Sequence, residues 1–166
     1  MAHLSYVIKD LIKEILIHEI GEANAEPYEF RKISNVRYEF DVLINDKYPA
    51  VVTCKFDELD EVKKQYYFPP RLTTKNNFLQ GKCYNVGYDV NGDVKQFDTT
   101  DMKQFLRIMA TLCEICKDFM EHMNPQGLYA FPSPKSEEND KGQQQKHNIY
   151  DAYFMKQIDK FRGYYV

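Results

Sequence analysis

A wide apolar stripe between residues 101 and 123 constrains the fold of this chain more than any other feature. Apolar side chains recur there at alternating spacings of three and four residues, which is the pattern of one face of an α-helix: Met102, Phe105, Met109, Leu112, Cys116, Phe119 and Met123. Further apolar residues beside this row widen the stripe. We expect a helix with so broad an apolar face to be buried across a sheet and beside another helix.

Alternating patterns earlier in the chain predict that sheet. Apolar and polar side chains alternate over residues 36–44, a turn follows at Asn45, and residues 48–56 alternate again. This arrangement is typical of a β-hairpin. We also expect a shorter strand over residues 28–33, before the hairpin.

A second hairpin is predicted shortly before the long helix. Residues 84–90 alternate in the same way, and they lead into Asn91-Gly92, the preferred pair for a type I′ turn. Residues 94–97 would then form the return strand. After the helix, residues 128–131 are predicted to form a last short strand.

Amphipathic segments near both ends complete the expected architecture. One helix is predicted from about residue 3 to residue 20, and another begins near Asn148. We therefore predict an α+β fold: an antiparallel sheet of two hairpins plus a short strand, packed by the long central helix and by N- and C-terminal helices. At 166 residues with no internal repeat, the chain fits a single domain over residues 1–166, with residues 57–79 and 132–147 as exposed loops.

The segment of residues 57–79 has two interpretations. It begins with an acidic run and continues through an aromatic group that precedes two prolines. The segment could present its aromatic side chains to a protein partner, or it could be a long connection that packs them against the sheet edge. The candidate partner-binding residues are Tyr66, Tyr67 and Phe68 in this segment, and Lys135, Glu137 and Glu138 in the polar loop.

Composition argues against several classes of function. The net charge is −3, and no run of Lys and Arg exceeds two residues, so we expect no direct nucleic-acid binding. Charged residues interrupt the first apolar stretch, which argues against a signal peptide or a membrane span. The four cysteines do not form a disulfide framework, so a reducing compartment is expected.

The sequence contains no recognisable catalytic, metal or cofactor site. Cys113 and Cys116 lie in the middle of the long helix, where we expect buried small side chains rather than a zinc or redox pair. Asp41 followed by Thr53-Cys54-Lys55 has the layout of restriction-type nucleases, but Thr53 stands where the second metal-binding carboxylate is needed. No phosphate-binding glycine loop is present. We therefore predict no enzyme activity, no cofactor and no metal.

One family resemblance is carried by residues 84–153. It consists of the alternating strand that ends in Asn91-Gly92, the helix with Ala110-Thr111-Leu112, a strand with Phe131, a polar loop, and Tyr150 and Tyr153 on the last helix. This pattern resembles a widespread family of small tailed-bacteriophage proteins without assigned function. Leu112 stands where that family usually has Val. The match covers under half of the chain and consists of core and turn positions.

The resemblance implies a phage protein, located in the virion or in the bacterial host cytoplasm. Such a protein would bind other virion proteins or a host protein, with homo-oligomerisation left open. We predict a non-enzymatic virion or assembly component, at the portal, connector or tail or as packaged cargo. The alternative is an early phage protein that inhibits a host factor or defence system by binding it.

Overall fold

A computed structural model describes residues 25–74, 78–92 and 102–130 of the chain. The chain divides into two compact units, one of residues 27–133 and the other of residues 1–26 with 134–166. Nearly all of the described residues belong to the first unit. The single-domain assignment therefore stays a prediction. The expected N- and C-terminal helices and the polar loop of residues 132–147 lie outside the described residues.

A five-stranded mixed sheet forms the frame of the described unit. Its strands are β1 (Phe30–Ser34), β2 (Arg37–Ile44), β3 (Tyr48–Glu58), β4 (Cys83–Val90) and β5 (Gly127–Ala130), and they lie side by side in chain order. Strands β1 to β4 pair in antiparallel fashion, whereas β5 pairs in parallel with β4. The predicted α+β class is confirmed.

The parallel pairing of β5 differs from the purely antiparallel sheet predicted from the sequence. Three helices occur in the described residues: α1 (Glu61–Tyr67), α2 (Pro70–Thr73) and α3 (Met102–Met123). Helix α3 connects β4 to β5, and a helical crossover of this length returns the chain to the end of the sheet from which β4 started. Strand β5 consequently runs in the same direction as β4.

The turns that join the strands follow the sequence predictions. Asn45 and Asp46 have φ angles of 52° and 55°, and Asn91 and Gly92 have φ angles of 52° and 79°. Two successive residues with positive φ match the right-handed twist of the flanking strands, which is why Asn, Asp and Gly are favoured there. The first hairpin is confirmed, as is strand β4. The predicted return strand of residues 94–97 lies outside the described residues.

Helix α3 covers one face of the sheet and forms the main core with it. The ring of Phe119 stacks on that of Phe56 with centroids 3.8 Å apart, and it meets the ring of Tyr84 edge-on at 5.0 Å. The sheet residues buried on this side include Tyr38, Phe40, Val42, Ala50, Val52, Cys54 and Val90, and their partners on α3 include Ile108, Met109, Leu112, Ile115 and Cys116. The predicted burial of the α3 stripe is confirmed for Met109, Leu112, Cys116 and Phe119, whereas Phe105 and Met123 are half-buried.

Two polar side chains fasten α3 to the sheet. The buried side-chain amide of Gln104 donates to the carbonyl oxygen of Leu43, and its oxygen accepts from the backbone N–H of Asn45 at 3.2 Å. The hydroxyl of Tyr38 donates to Asp118 at 2.7 Å, and burial together with this carboxylate raises the pKa of Tyr38. Buried polar groups need such partners, so these contacts fix the position of the helix along the strands.

Candidate protein-binding site

Helix α1 follows strand β3 directly and begins at a capping residue. The Asp60 carboxylate accepts a hydrogen bond from the backbone N–H of Lys63 at 2.8 Å, as expected for an N-cap aspartate. Pro69 and Pro70 follow the helix and cannot continue it. Residues 57–79 thus contain two short helices where the sequence predicted a loop.

Lys64 anchors α1 to the chain that leads into β4. This lysine is only 6% exposed, and its ammonium group donates to the carbonyl oxygens of Leu79 and Gly81, both at 2.6 Å. A buried ammonium group is costly unless it is hydrogen-bonded, and hydrogen bonds to charged groups are the stronger ones. The inner face of α1 is therefore held in one position.

Phe68 fixes the other end of the helix in a small apolar cluster. The cluster consists of Leu59, Phe68, Phe78 and Cys83, and the rings of Phe68 and Phe78 meet edge-on at 5.3 Å. Gly127 of β5 lies beneath Phe68, since a Cβ atom built on this glycine would be 3.0 Å from the phenylalanine Cζ. Burial in this cluster removes the ring of Phe68 from water, and the prediction that Phe68 contacts a partner stays untested.

Tyr67 has an intermediate position at the edge of this cluster. Its half-buried ring packs against that of Tyr129 at 4.5 Å and meets that of Tyr66 edge-on at 5.3 Å. Burial raises the pKa of Tyr129, and the neighbouring Tyr67 and Tyr66 add to this shift. Tyr67 therefore supports the helix more than it offers a free surface.

The outward side of α1 carries Val62 and Tyr66. These side chains are 78% and 83% exposed, the largest values among the large hydrophobic residues in the part of the chain that the structure describes. Their spacing of four residues places them one turn apart on one helix face. We call this pair the α1 ridge. It is a short apolar and aromatic projection on a helix that is anchored at both ends.

The candidate residues from the sequence thus differ in their exposure to solvent. Tyr66 is exposed, Tyr67 is half-buried and Phe68 is buried, while Lys135, Glu137 and Glu138 lie outside the described residues. Sequence reasoning missed Val62 and Lys64. The spacing of Val62 and Tyr66 was the available signal for the ridge, whereas no local pattern marks a lysine that binds carbonyls distant in sequence.

Away from the Phe68 cluster, the sheet face opposite α3 carries three ion pairs. Ion pairs join Arg31 to Asp41, Arg37 to Glu39 at 2.6 Å and Lys55 to Asp89 at 3.2 Å. The hydrogen bond from the Arg31 guanidinium lowers the pKa of the Asp41 carboxyl. These three carboxylates are thus each matched by a cation, and surface pairs of this kind contribute little to stability.

The strand register places Asp41, Thr53 and Lys55, the residues of the nuclease-like layout, on this face. In the strand register Asp41 lies opposite Val51, and Thr53 lies between Glu39 and Asp89. Among the residues that the structure describes, no group of three or more His, Cys, Asp or Glu side chains is arranged to hold a metal ion.

All four cysteines are free thiols and are buried. Burial raises the pKa of Cys116 to about 12, and it also raises the pKa of Cys54. The thiolate is the nucleophilic form of cysteine, so these side chains are held in their unreactive form. The expectation that Cys113 and Cys116 act as buried small side chains is confirmed.

Over residues 25–74, 78–92 and 102–130, no helix combines the length and the apolar character needed to cross a membrane.

Comparisons with known proteins add no relative from which a role could be transferred. No protein-family model matches the chain, and no curated protein and no solved structure matches it.

Proposed function

We propose that this chain is a non-enzymatic virion or assembly component of a tailed bacteriophage and that it binds a protein partner through the α1 ridge. The observation that carries the proposal is the exposure of Val62 and Tyr66 on a helix that Asp60, Lys64 and Phe68 hold in place. A folded chain gains little by leaving such side chains in water. Tyr is one of the residues enriched in the centres of protein interfaces.

The rigid mounting of the ridge favours binding. Ordering a flexible side chain or loop on association costs about 0.5–1.5 kcal/mol for each side chain that is immobilised. The hydrogen bonds of Lys64 to Leu79 and Gly81 have already ordered α1 in the free chain. A partner that buries the ridge therefore gains from the contact of Val62 and Tyr66 without ordering the backbone that carries them.

The phage setting is supported by the sequence resemblance. The resembling positions within the described residues, which include Asn91-Gly92 and the core of α3 at Ala110-Thr111-Leu112, are turn and core positions here as well. Such positions preserve a fold, whereas surfaces diverge with the partner. The virion role accordingly rests on the pattern, and the binding role rests on the exposed ridge.

Site-specific photo-cross-linking in phage-infected cells and in purified particles tests this proposal. We would place p-benzoylphenylalanine at position 66, where it replaces Tyr66, and identify the adducts by mass spectrometry. Tyr48, a 57% exposed tyrosine in the β2–β3 hairpin, is the matched control position. We expect a single dominant protein adduct from position 66 and none from position 48.

The virion role and the alternative role, inhibition of a host protein, give different results in this experiment. An adduct to a particle protein, with the chain itself present in purified virions, supports the virion role. Absence from particles together with an adduct to a host protein would replace that role with the host-directed inhibitor. Equal labelling from positions 66 and 48, or no adduct at position 66, would refute the α1 ridge as the binding surface.

A further inference from the structure

The charges and size of α1 constrain the chemistry of its partner. Building on the proposed function, we infer that the partner is a protein with a concave apolar pocket that receives Val62 and Tyr66, and with Lys or Arg side chains beside it. These cations face the acidic run that precedes and begins α1.

The small size of the ridge requires a concave partner. Helix α1 has seven residues, so it is only about 10 Å long. A stable interface between flat surfaces buries about 800 Å² on each partner. Val62 and Tyr66 cannot supply that area against a flat surface, but a pocket that surrounds both side chains removes them fully from water. Hot-spot residues commonly lie in such desolvated pockets.

The acidic run determines the charge around that pocket. Asp57, Glu58, Asp60 and Glu61 are all exposed, and they cluster where β3 passes into α1. Glu58 forms an ion pair with Lys82 at 3.4 Å, but both side chains are more than half exposed, so the pairing is weak. Asp57 and Glu61 form no ion pair within the described part of the chain.

The nearby cations do not neutralise these carboxylates. The Lys64 ammonium is buried against two carbonyl oxygens, so it faces away from a partner. Lys63 is exposed on the helix, Arg71 is exposed on α2, and Lys82 lies beside Glu58. Four carboxylates therefore meet three exposed cationic groups, and the border of the ridge keeps a small net negative charge. Complementary charge on a partner accelerates encounter and excludes partners of the wrong sign.

A second copy of this chain fits these requirements poorly. Two α1 helices in contact would oppose two convex ridges of small area, each with a net negative border. Like charges across an interface are unfavourable. Contact between two copies through this same ridge is therefore unfavourable, and a different protein with a concave, basic surface fits the requirements.

Charge reversal at Glu61 tests this inference. Chains carrying p-benzoylphenylalanine at position 66 would be compared with and without Glu61→Lys, and the cross-linked peptide of the partner would be mapped by mass spectrometry. Glu121→Lys, at an exposed position of α3, is the matched control. We expect adduct yield to fall about threefold or more with Glu61→Lys and to be unchanged with Glu121→Lys.

A second variant separates charge from helix stability. Glu61 lies in the first turn of α1, where a lysine is unfavourable to the helix dipole. Glu61→Gln removes the charge with little change in shape, and circular dichroism reports whether each variant is folded. A loss of yield from Glu61→Gln that is smaller than that from Glu61→Lys, with unchanged spectra, supports the basic pocket. It is further supported if raised salt lowers the yield of the unaltered chain.

The possible failures remain distinguishable. No adduct at position 66 refutes the proposed function itself. An adduct that is insensitive to Glu61→Lys, or one that maps to an acidic or convex surface, overturns this inference and leaves the binding role in place. An adduct between two copies of the chain overturns the inference as well.

Discussion

Phe68 and Tyr66 stand two residues apart, and truncating each to alanine has sharply different expected effects. Phe68 is buried among Leu59, Phe78 and Cys83, whereas Tyr66 is 83% exposed. Phe→Ala substitutions in protein cores cost about 3–5 kcal/mol. Because Phe68 lies in a small cluster and retains 9% exposure, we expect Phe68→Ala to cost about 3 kcal/mol, at the lower end of that range.

Tyr66→Ala is the matched comparison. Surface substitutions away from special features usually change the free energy of unfolding by less than about 0.5 kcal/mol. Tyr66 is 83% exposed and its ring meets that of Tyr67 edge-on, so we expect its removal to remain within that limit. The free energy of unfolding would be measured by urea titration followed by far-UV circular dichroism, with thermal melting as a second measurement.

The thermal shift follows from the same free energies. For a protein of this length, each kcal/mol lowers the Tm by about 2–4 °C, so Phe68→Ala is expected to lower it by about 6–12 °C. A loss of less than about 1 kcal/mol for Phe68→Ala would contradict the core assignment, because a buried Phe contributes more than that. An equal loss for Tyr66→Ala would show that the α1 ridge is part of the core.

Three further predictions test the packing and the electrostatics. Gly127→Ala should lower the free energy of unfolding, measured by urea titration, by about 1–3 kcal/mol, because the new Cβ atom would press on the ring of Phe68. Gly87→Ala is the control: the space at its Cβ is open, so the change should be neutral or slightly stabilising. The pKa of Asp41, measured by NMR titration, should lie below the ordinary value of about 3.9. The contribution of this carboxylate to stability is therefore present above that pH and is lost as the pH falls through the lower pKa of the folded state. Arg31→Gln should raise the pKa of Asp41. Cys116, with a pKa of about 12, should resist iodoacetamide at pH 8 in the native chain and react in denaturant, and rapid native labelling would contradict its burial.

The sheet and the long helix were largely predictable because their patterns are local. Alternation over 36–44 and 48–56 places one side of a hairpin in the core, and a register slip would expose it. Asn91-Gly92 determines its turn by backbone sterics alone. The α3 stripe is long enough for its period to be unambiguous. Each of these signals is contained within a single element.

Helix α1 was not predictable by the same reasoning. Isolated helices shorter than about 12–15 residues are marginal in water, so a seven-residue helix depends on tertiary contacts. Here those contacts are the bonds of Lys64 to Leu79 and Gly81 and the packing of Phe68. None is visible as a local period. The parallel direction of β5 was not predicted for a related reason: the sequence of a four-residue strand does not indicate which strand it pairs with or in which direction.

The placement of β5 at the end of the described unit has a consequence for the timing of folding. Strands β1 to β3 pair with their neighbours in sequence, but β5 joins β4 only after α3 has crossed the sheet, and contacts between distant residues form late. Gly127 of β5 also supports Phe68, and through it α1. We therefore expect a nascent chain to present the α1 ridge in its binding form only when nearly the whole of residues 27–133 has left the ribosome. A partner could then bind the ridge only after synthesis of this unit is complete.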